Sequence, residues 1–372
     1  MKPLRLCAVA LLGLTCAAAT PTLAEQVVVG SAAQLMAALK AARAGQTILL
    51  TPGTYNIPAI QKFDAGGNVT IASQDRAHPA LLTGLEVFGG GGLTFSRLEI
   101  TTVGSGDAHY GLRVAEAKDV AFMDDSIHGS LDANPRNDIS GLYITDSSNV
   151  TVQGCRFQQL RNAVVQLRNT HLTIIGNAFH DIQIDGVDGG GSSFVTITGN
   201  LFTNFYPEGE VGGSGDHADA IQFWTTNTTT PATDIVITDN LFVRGKGSHI
   251  QGVFINDEAG VPYQRVTVTG NMIIGGLYNG VDVVDATDLN VSDNTVGAFT
   301  DMGSWLRVEG SSGVAAGNRA TNYVWERNRG LKQSKNATIL EVTDGGKALV
   351  AAFLAAHVDM KAMAPAGMAT AP

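Results

Sequence analysis

Hydrophobic and polar residues alternate along most of this chain in short segments that repeat one another. Six segments align residue for residue, with Val, Ile, Leu or Phe at every second position. Alternation at a period of two predicts β-strands, because successive side chains of a strand point to opposite faces. The six segments are 149–157, 171–179, 194–202, 234–242, 265–273 and 288–296.

The spacing of these repeats predicts the fold. Including three weaker copies, the last residues of successive repeats lie 27, 30, 22, 23, 40, 31, 23 and 24 residues apart. A base period of 22–24 residues with strand-like alternation predicts one coil of a parallel β-helix per repeat. Leucine-rich repeats would show Leu at fixed offsets, and these copies do not. The expected fold is all-β, a single-stranded parallel β-helix.

One Asn recurs at the same position of successive repeats. Asn accepts the turn conformation, and stacked amides can hydrogen bond from coil to coil. We therefore expect a structural ladder, with Cys155 as a structural substitute in the same column. Its members are Asn177, Asn200, Asn240, Asn271, Asn294 and Asn318.

A second strand follows in each coil and predicts an outward-facing column. Its apolar positions, such as Leu142, Ile221 and Val253, should point inward, so the next residue points outward. A long ligand could lie across several coils along this column. The outward residues are Arg113, Tyr143, Val165, Asp188, Gln222, Phe254, Asp282 and Arg307.

The two ends of the repeat region have helical patterns. Residues 31–45 form an amphipathic pattern that begins at a Ser and ends at a Gly, which predicts a helix that caps the first coil. Residues 346–358 predict a second short helix. We expect the β-helix domain over residues 25–330 and a C-terminal cap and tail over 331–372.

The first 24 residues have the layout of a secretory signal peptide, in which Lys2 and Arg5 precede an apolar run and a small-x-small end. Removal of this segment takes away two positive charges, changes the net charge from −10 to −12 and leaves Cys155 as the single Cys. We therefore expect a secreted or periplasmic protein without an internal disulfide or a membrane span. The acidic balance argues against nucleic acid as a partner.

The segment from Ala33 to Tyr55 carries a resemblance. It contains Ala-Gln-Leu and then Gly-Gln-Thr-Ile-Leu-Leu-x-Pro-Gly-Thr-Tyr, and it resembles the opening of secreted β-helix polysaccharide lyases. The later coils are similar to the broader pectate-lyase-like superfamily. This resemblance implies a right-handed parallel β-helix and a lyase, a C5-epimerase or a glycosidase. The catalytic motifs of alginate lyases, alginate epimerases and polygalacturonases are absent, so site residues are argued from their position.

The largest insertion indicates where the chemistry lies. The repeat from Phe202 to Phe242 spans 40 residues and includes a Gly-rich stretch at 206–217. Long loops on a rigid scaffold commonly carry binding and catalytic residues. The columns around the segment 215–224 place two His residues and several acidic or amide side chains next to each other. The residues expected to face one groove are His217, His249, Asp185, Asp188, Asp219, Gln222 and Asp282.

These residue types suit β-elimination at a uronic acid. The reaction needs a base for the C5 proton, an acid for the leaving oxygen and a group that neutralises the carboxylate. His217 is the expected base or acid, because the pKa of His lies near neutrality, with support from Asp219 and His249. Asp185 completes the catalytic set. The remaining substrate-binding candidates are the cations Arg161, Arg168 and Lys246 for carboxylates and Tyr206 for stacking on sugar rings.

The expected function is a polysaccharide lyase that acts as a monomer on an acidic polysaccharide. A C5-epimerase, a glycoside hydrolase with paired carboxylates, and a non-catalytic polysaccharide-binding protein stay open as alternatives. No cofactor is certain, but Asp185, Asp188 and Asp219 could together bind Ca²⁺, which would allow an acidic groove to accept an acidic polymer.

Overall fold

The fold is a parallel β-helix, seen in a computed structural model that describes residues 25–102, 110–209 and 215–363. Every pairing between strands of successive coils is parallel, which confirms the predicted fold class. The predicted signal peptide lies outside the described residues. The end of the predicted C-terminal tail, 364–372, also lies outside them.

The strands form three ladders that run the length of the coil. The first, called the groove ladder, contains Ile60–Phe63, Leu85–Ser96, Tyr110–Met123, Ser140–Thr145, Val164–Leu167, Val187–Gly190, Asp219–Trp224, Gln251–Asn256, Tyr278–Val284, Ser304–Glu309 and Tyr323–Glu326. The second contains Gln26–Val29, Thr47–Leu50, Val69–Ser73, Ser148–Gln153, Thr170–Ile175, Ser193–Thr198, Thr233–Thr238, Tyr263–Thr269, Ala286–Thr287, Leu289–Ser292, Gly313–Ala316 and Leu331–Ser334, and it shares the long strands Leu85–Ser96 and Tyr110–Met123 with the first. The third contains Thr54–Tyr55, Leu81–Thr83, Glu99–Thr101, Ser126–His128, Arg156–Leu160, Ala178–Ile182, Leu201–Phe205, Leu241–Val243, Met272–Ile274, Thr295–Gly297, Arg319–Ala320 and Ala337–Thr338.

The core fills the inside of the coil with one layer of apolar side chains per repeat. The rings of Phe157, Phe179 and Phe202 stack from coil to coil, with centroid distances of 4.9 and 4.6 Å. The predicted inward residues of the groove ladder, including Leu142 and Ile221, are buried. Each coil therefore buries its apolar face against its neighbours, so stability accumulates along the helix.

The predicted Asn ladder is present. The Oδ1 atom of Asn200 accepts hydrogen bonds from the backbone N and the Nδ2 of Asn177, at 2.9 and 3.0 Å. The same two bonds join each successive pair and extend the ladder to Asn336. The buried Cys155 lies before Asn177 in this column and donates its backbone N–H to it at 2.8 Å.

A helix covers the first coil. Helix Ala32–Ala41 confirms the predicted cap: the hydroxyl of Ser31 accepts a hydrogen bond from the backbone N of Gln34, and Leu35 is buried. At the other end, the ladders continue to Ala337–Thr338, beyond the expected boundary at residue 330.

Two more helices, Lys347–Ala356 and Val358–Met363, follow the last coil, and a 3-10 turn at Pro135–Asn137 lies in an earlier loop. Val350 and Phe353 pack against outward apolar residues of the third ladder, such as Leu241 and Ile274. Within the described part of the chain, no helix is long and apolar enough to cross a membrane.

Candidate functional site

The outer face of the groove ladder presents two adjacent polar columns. Val187 pairs with Ile221 and Asp219 pairs with Gln251 in the register, so Asp185 and Asp219 occupy one column and Asp188 and Gln222 the next. A Cβ added to Gly186 would lie 2.6 Å from the buried ring of Phe202, so the position between these columns faces the core.

This departure from strict alternation explains how both columns reach the surface. In the strand that starts at Asp219, Ala220 and Ile221 both face the core, and Gln222 faces out again. Two consecutive inward residues place the residues before and after them on the same outer face. The bend that the sequence requires between Asp219 and Ile221 lies here.

Three carboxyl groups lie together on this face. The carboxyl groups of Asp185 and Asp188 lie close enough for each to shift the pKa of the other. Asp185 also accepts a hydrogen bond from the backbone N of Asp219 at 2.9 Å, and Asp188 accepts one from Nδ2 of Asn162 at 3.1 Å. We call Asp185, Asp188 and Asp219 the carboxyl cluster.

Burial and mutual repulsion keep protons on the cluster. Burial raises the pKa of Asp185 well above its usual range, and the charges of Asp188 and Asp219 raise it further. Burial also raises the pKa of Asp188 and that of Asp219 to about 6 each. Like charges this close cannot all ionise. These shifts therefore favour one proton on the Asp185–Asp188 pair at neutral pH, with Asp185 as its site.

His217 connects the cluster to solvent. Its Nδ1 lies 3.2 Å from Oδ2 of the fully buried Asp219, while the imidazole side chain is 62% exposed. The hydrogen bond to Asp219 raises the pKa of His217. A carboxylate can only accept, so Nδ1 carries the hydrogen and Nε2 carries the lone pair.

A chain of amides continues from His217 into the next two coils. The indole N–H of Trp305 donates to Oδ1 of Asn279 at 3.1 Å, and Nδ2 of Asn279 donates to Oε1 of Gln251. The Nε2 of Gln251 then lies 2.9 Å from Nε2 of His217. Because an indole N–H can only donate, it fixes the orientation of both amides, and Gln251 presents its donor to the imidazole.

His249 lies in the same cavity as His217. This cavity has a volume of about 150 Å³ and is lined by both His residues, Gln251, Tyr278 and Asn279. Burial, with the nearby charge of Arg244, lowers the pKa of His249. His249 is therefore a neutral imidazole at neutral pH.

Other candidates lie at the edges of this arrangement or away from it. Asp282 is buried two coils beyond Gln222 and pairs with Arg307 at 3.1 Å, and burial raises the pKa of Asp282 to about 6. Arg168 lies past the other end of its strand, where it forms an ion pair with Asp146 at 2.7 Å. The structure thus does not bring Arg168 to the carboxyl cluster.

The remaining three candidates belong to loops. Arg161 and Lys246 are exposed, and the backbone N of Lys246 is bonded to Asn204. Tyr206 is half-buried, and its carbonyl accepts a hydrogen bond from Nε of Arg136 at 3.0 Å. These contacts position loops next to the groove and leave the roles of Arg161, Lys246 and Tyr206 in substrate binding as predictions.

The carboxyl cluster was also the candidate for Ca²⁺. Among the described residues, no group of three or more His, Cys, Asp or Glu side chains has an arrangement that could hold a metal ion. Three oxygens of the cluster contact protein donors instead, namely the backbone N of Asp219, Nδ2 of Asn162 and the ring of His217. Oδ1 of Asp188 and Oδ1 of Asp219 have no partner among the described residues.

Several contributors to the site were not among the sequence candidates. Gln251 and Asn279 share the column of Asp219, so the strand register alone could have identified them. Tyr278 and Trp305 had no such signal, because the register shifts between Asn279 and Val281.

Comparisons with known proteins concern the fold. The family model described as right handed beta helix region matches residues 65–230 and 140–296. No curated protein sequence matches. At TM-scores below 0.5, the solved structures that are similar to this chain carry no argument about its chemistry.

Three of those structures illustrate the range of structural similarity and sequence identity. Geobacillus virus E2 ORF18 has a TM-score of 0.43 and 10% identity, and the match covers 78% of this chain but only 54% of that one. PfbA, a surface adhesin of Streptococcus pneumoniae, has a TM-score of 0.47 and 16% identity, covering 86% and 93%. An alginate lyase from Paenibacillus sp. str. FPU-7 has a TM-score of 0.35 and 18% identity, covering 85% and 99%.

Proposed function

The chain belongs to the right handed beta helix family, and we propose that on this scaffold it cleaves a polysaccharide by acid–base catalysis at the carboxyl cluster. The preferred reaction is hydrolysis of a glycosidic bond. The observation that carries this proposal is the buried Asp185–Asp188 pair, whose raised pKa values favour one retained proton, next to an exposed imidazole that is hydrogen bonded to Asp219. Glycosidic cleavage needs one protonated acid and one base, and these two pairs provide them.

Each pair has one member that reaches the groove. Asp188 is half-buried while Asp185 is buried, so Asp188 delivers the shared proton to the leaving oxygen and Asp185 resupplies it. His217 is exposed while Asp219 is buried, so Nε2 of His217 is the base and Asp219 stabilises the imidazolium. Nε2 removes a proton from the attacking water once its lone pair is released from the hydrogen bond with Gln251. The bond from the anomeric carbon to the leaving oxygen breaks as the bond to the water oxygen forms.

The charge of the groove favours a neutral glycan over a uronate polymer. With one shared proton, the cluster keeps about two negative charges at neutral pH, since Asp188 and Asp219 titrate together near pH 6. Arg307, a cation in the same outward column, is engaged by Asp282 and Glu309. A uronate carboxylate would meet this negative field without compensation, which costs free energy in a partly desolvated site.

β-Elimination at a uronic acid is the second candidate. The observation in its favour is the same exposed imidazole, because Nε2 of His217 could remove a C5 proton while Asp188 protonates the leaving oxygen. Protonated Asp185 and the amides of Gln251 and Asn279 would then have to neutralise the substrate carboxylate. A C5-epimerase would use the same base and return a proton to the other face.

One panel experiment tests the proposal. The protein is incubated with neutral and uronate polysaccharides, and new reducing ends, ultraviolet absorbance and sugar NMR are followed. Hydrolysis gives reducing ends without absorbance, elimination gives absorbing unsaturated ends, and epimerisation changes only the NMR spectrum. Absence of all three changes with every polymer would contradict catalysis.

The roles of the residues are tested in the same assay. We expect Asp185→Asn and His217→Ala each to lower kcat by about 10²–10⁴-fold, the usual contribution of a general acid or base. The matched controls are Asp234→Asn, a surface carboxylate paired with Arg265 in the second ladder, and His171→Ala, an imidazole stacked on Phe194. Full activity in Asp185→Asn or His217→Ala would contradict the site.

A further inference from the structure

Tyr278, one member of an aromatic pair, lines the cavity two coils beyond His217. The rings of Tyr278 and Trp305 stack with a centroid distance of 5.3 Å and an interplanar angle of 24°. Tyr278 is 38% exposed and lines the cavity, opposite His217. The hydrogen bond from Trp305 to Asn279 fixes the indole, so the pair is a rigid support.

The cavity has two chemically different parts. Leu277 and Ile250 join the face of Tyr278 as apolar lining, whereas the amides of Gln251 and Asn279 and the ring of His217 form a polar rim. A volume of about 150 Å³ admits a group much larger than one water molecule. A pyranose has the matching form, with an apolar face of C–H groups and hydroxyls around its edge.

The backbone at Tyr278 is held in an unusual conformation. Its φ is 23°, outside the regions that residues with a side chain ordinarily adopt. Such strain persists only where the surrounding structure imposes it, and it is concentrated at functional sites. A glycine would relieve it, yet this position carries a large aromatic ring that faces a cavity.

We propose that the cavity between His217 and Tyr278 binds one pyranose ring of a glycan, stacked on the ring of Tyr278. This inference rests on the proposed function, because the bound ring is a unit of the chain that is cleaved beside His217. Tyr278 is then a binding residue, and Trp305 and Asn279 position it. The bound ring lies on the side of the later coils, which gives the glycan a direction along the groove.

Binding can be measured separately from cleavage. In affinity electrophoresis, the Asp185→Asn protein migrates through gels that contain a soluble β-glucan, galactomannan, xylan, alginate or polygalacturonate. We expect retardation by at least one polymer. Adding Tyr278→Ala should weaken that affinity by about tenfold, as is typical for the loss of an anchoring aromatic residue.

Two further variants separate binding from folding. Tyr278→Gly accepts a φ of 23° without strain, so its thermal unfolding midpoint should stay near that of the parent while glycan affinity falls as in Tyr278→Ala. Phe194→Ala is the matched control, because Phe194 is a 47% exposed aromatic ring stacked on His171 in the second ladder, away from the cavity. It should bind glycan like the parent.

The outcomes decide the proposal. Unchanged affinity in Tyr278→Gly, an equal loss in Phe194→Ala, or no retardation of the parent by any polymer would overturn the subsite. Glycan binding that depends on Tyr278, in a wild-type protein that cleaves no polymer, would support the subsite and refute the proposed reaction.

Discussion

Two columns of polar side chains run across successive coils of this β-helix, and they are satisfied very differently. In the Asn ladder, Asn240 donates to the carbonyl of Ile197 and to Oδ1 of Asn271, both at 2.9 Å. It accepts from the backbone N and the Nδ2 of Asn200 at 3.0 and 2.9 Å. In the carboxyl cluster, by contrast, Oδ1 of Asp188 and Oδ1 of Asp219 are buried and have no partner among the described residues.

The difference follows from the chemistry of the two groups. A carboxamide carries donors and an acceptor, so identical amides stacked along a coil satisfy each other without limit. An ionised carboxylate only accepts, so stacked carboxylates must share protons or repel each other. The same scaffold therefore produces a structural ladder from Asn and a proton-holding site from Asp.

The largest expected effect on stability comes from replacing one amide of the Asn ladder by a carboxyl group. Asn240→Asp would place a carboxylate in the middle of the satisfied ladder, where it cannot donate to Ile197 or Asn271. An unpaired charge at such a buried position costs about 3–5 kcal/mol. We expect a large fall in the thermal unfolding midpoint near pH 8. The fall should be smaller near pH 4, where the new carboxyl is protonated and can donate.

Asp185→Asn provides the control for that prediction. It exchanges the same two groups in the opposite direction, at a position where the carboxyl is already protonated at neutral pH, so little stability should be lost. If Asn240→Asp were as stable as the parent protein at both pH values, the complete hydrogen bonding of the Asn ladder would contribute little to the stability of the protein.

The column of the Asn ladder also contains a natural carboxyl group, Asp125, whose replacement predicts a gain in stability. Asp125 precedes Cys155 in this column, and its Oδ1 accepts from the backbone N of Leu98 at 2.8 Å. Burial raises the pKa of Asp125 to about 8. A folded pKa above the unfolded value contributes stability that is present below about pH 4 and is lost as the pH rises through about 8.

Asp125→Asn removes this loss. The free energy of unfolding of the variant should equal that of the parent near pH 4 and exceed it by on the order of 1–3 kcal/mol near pH 9, because the buried charge disappears. Thermal unfolding across this pH range measures the difference. A variant that is less stable than the parent at every pH would show that the hydrogen bond from Met123 to the second carboxyl oxygen matters more than the charge.

The coils and the Asn ladder could be predicted because they repeat. Alternation fixes which residues face inward, and the base period fixes which residues stack, so Asn177 and Asn200 could be aligned before any coordinates were known. The same register brought Asp185 next to Asp219. The part of the site that follows the repeat register could therefore be predicted from the sequence.

The rest of the site depends on departures from repetition. Pairing of Arg168 with Asp146 involves a corner of the coil, whose geometry does not follow from the strand pattern. The contribution of Tyr278 and Trp305 depends on a register shift within one strand. The proton shared by Asp185 and Asp188 depends on burial, which spacing alone does not measure.

The smallest predicted effect tests whether Asp219 acts through His217, separately from the Asp185–Asp188 pair. The hydrogen bond that His217 donates to Asp219 is the largest cause of the raised pKa of His217. In Asp219→Asn this pKa should fall, so neutral His217 persists to lower pH and the acid limb of kcat/KM shifts in the same direction. NMR titration of the imidazole measures the pKa whether or not the variant is active, with His171 as the internal reference. An unchanged pKa would mean that Asp219 does not hydrogen bond to His217. The base would then have to belong to the Asp185–Asp188 pair, which the Asp219→Asn variant keeps.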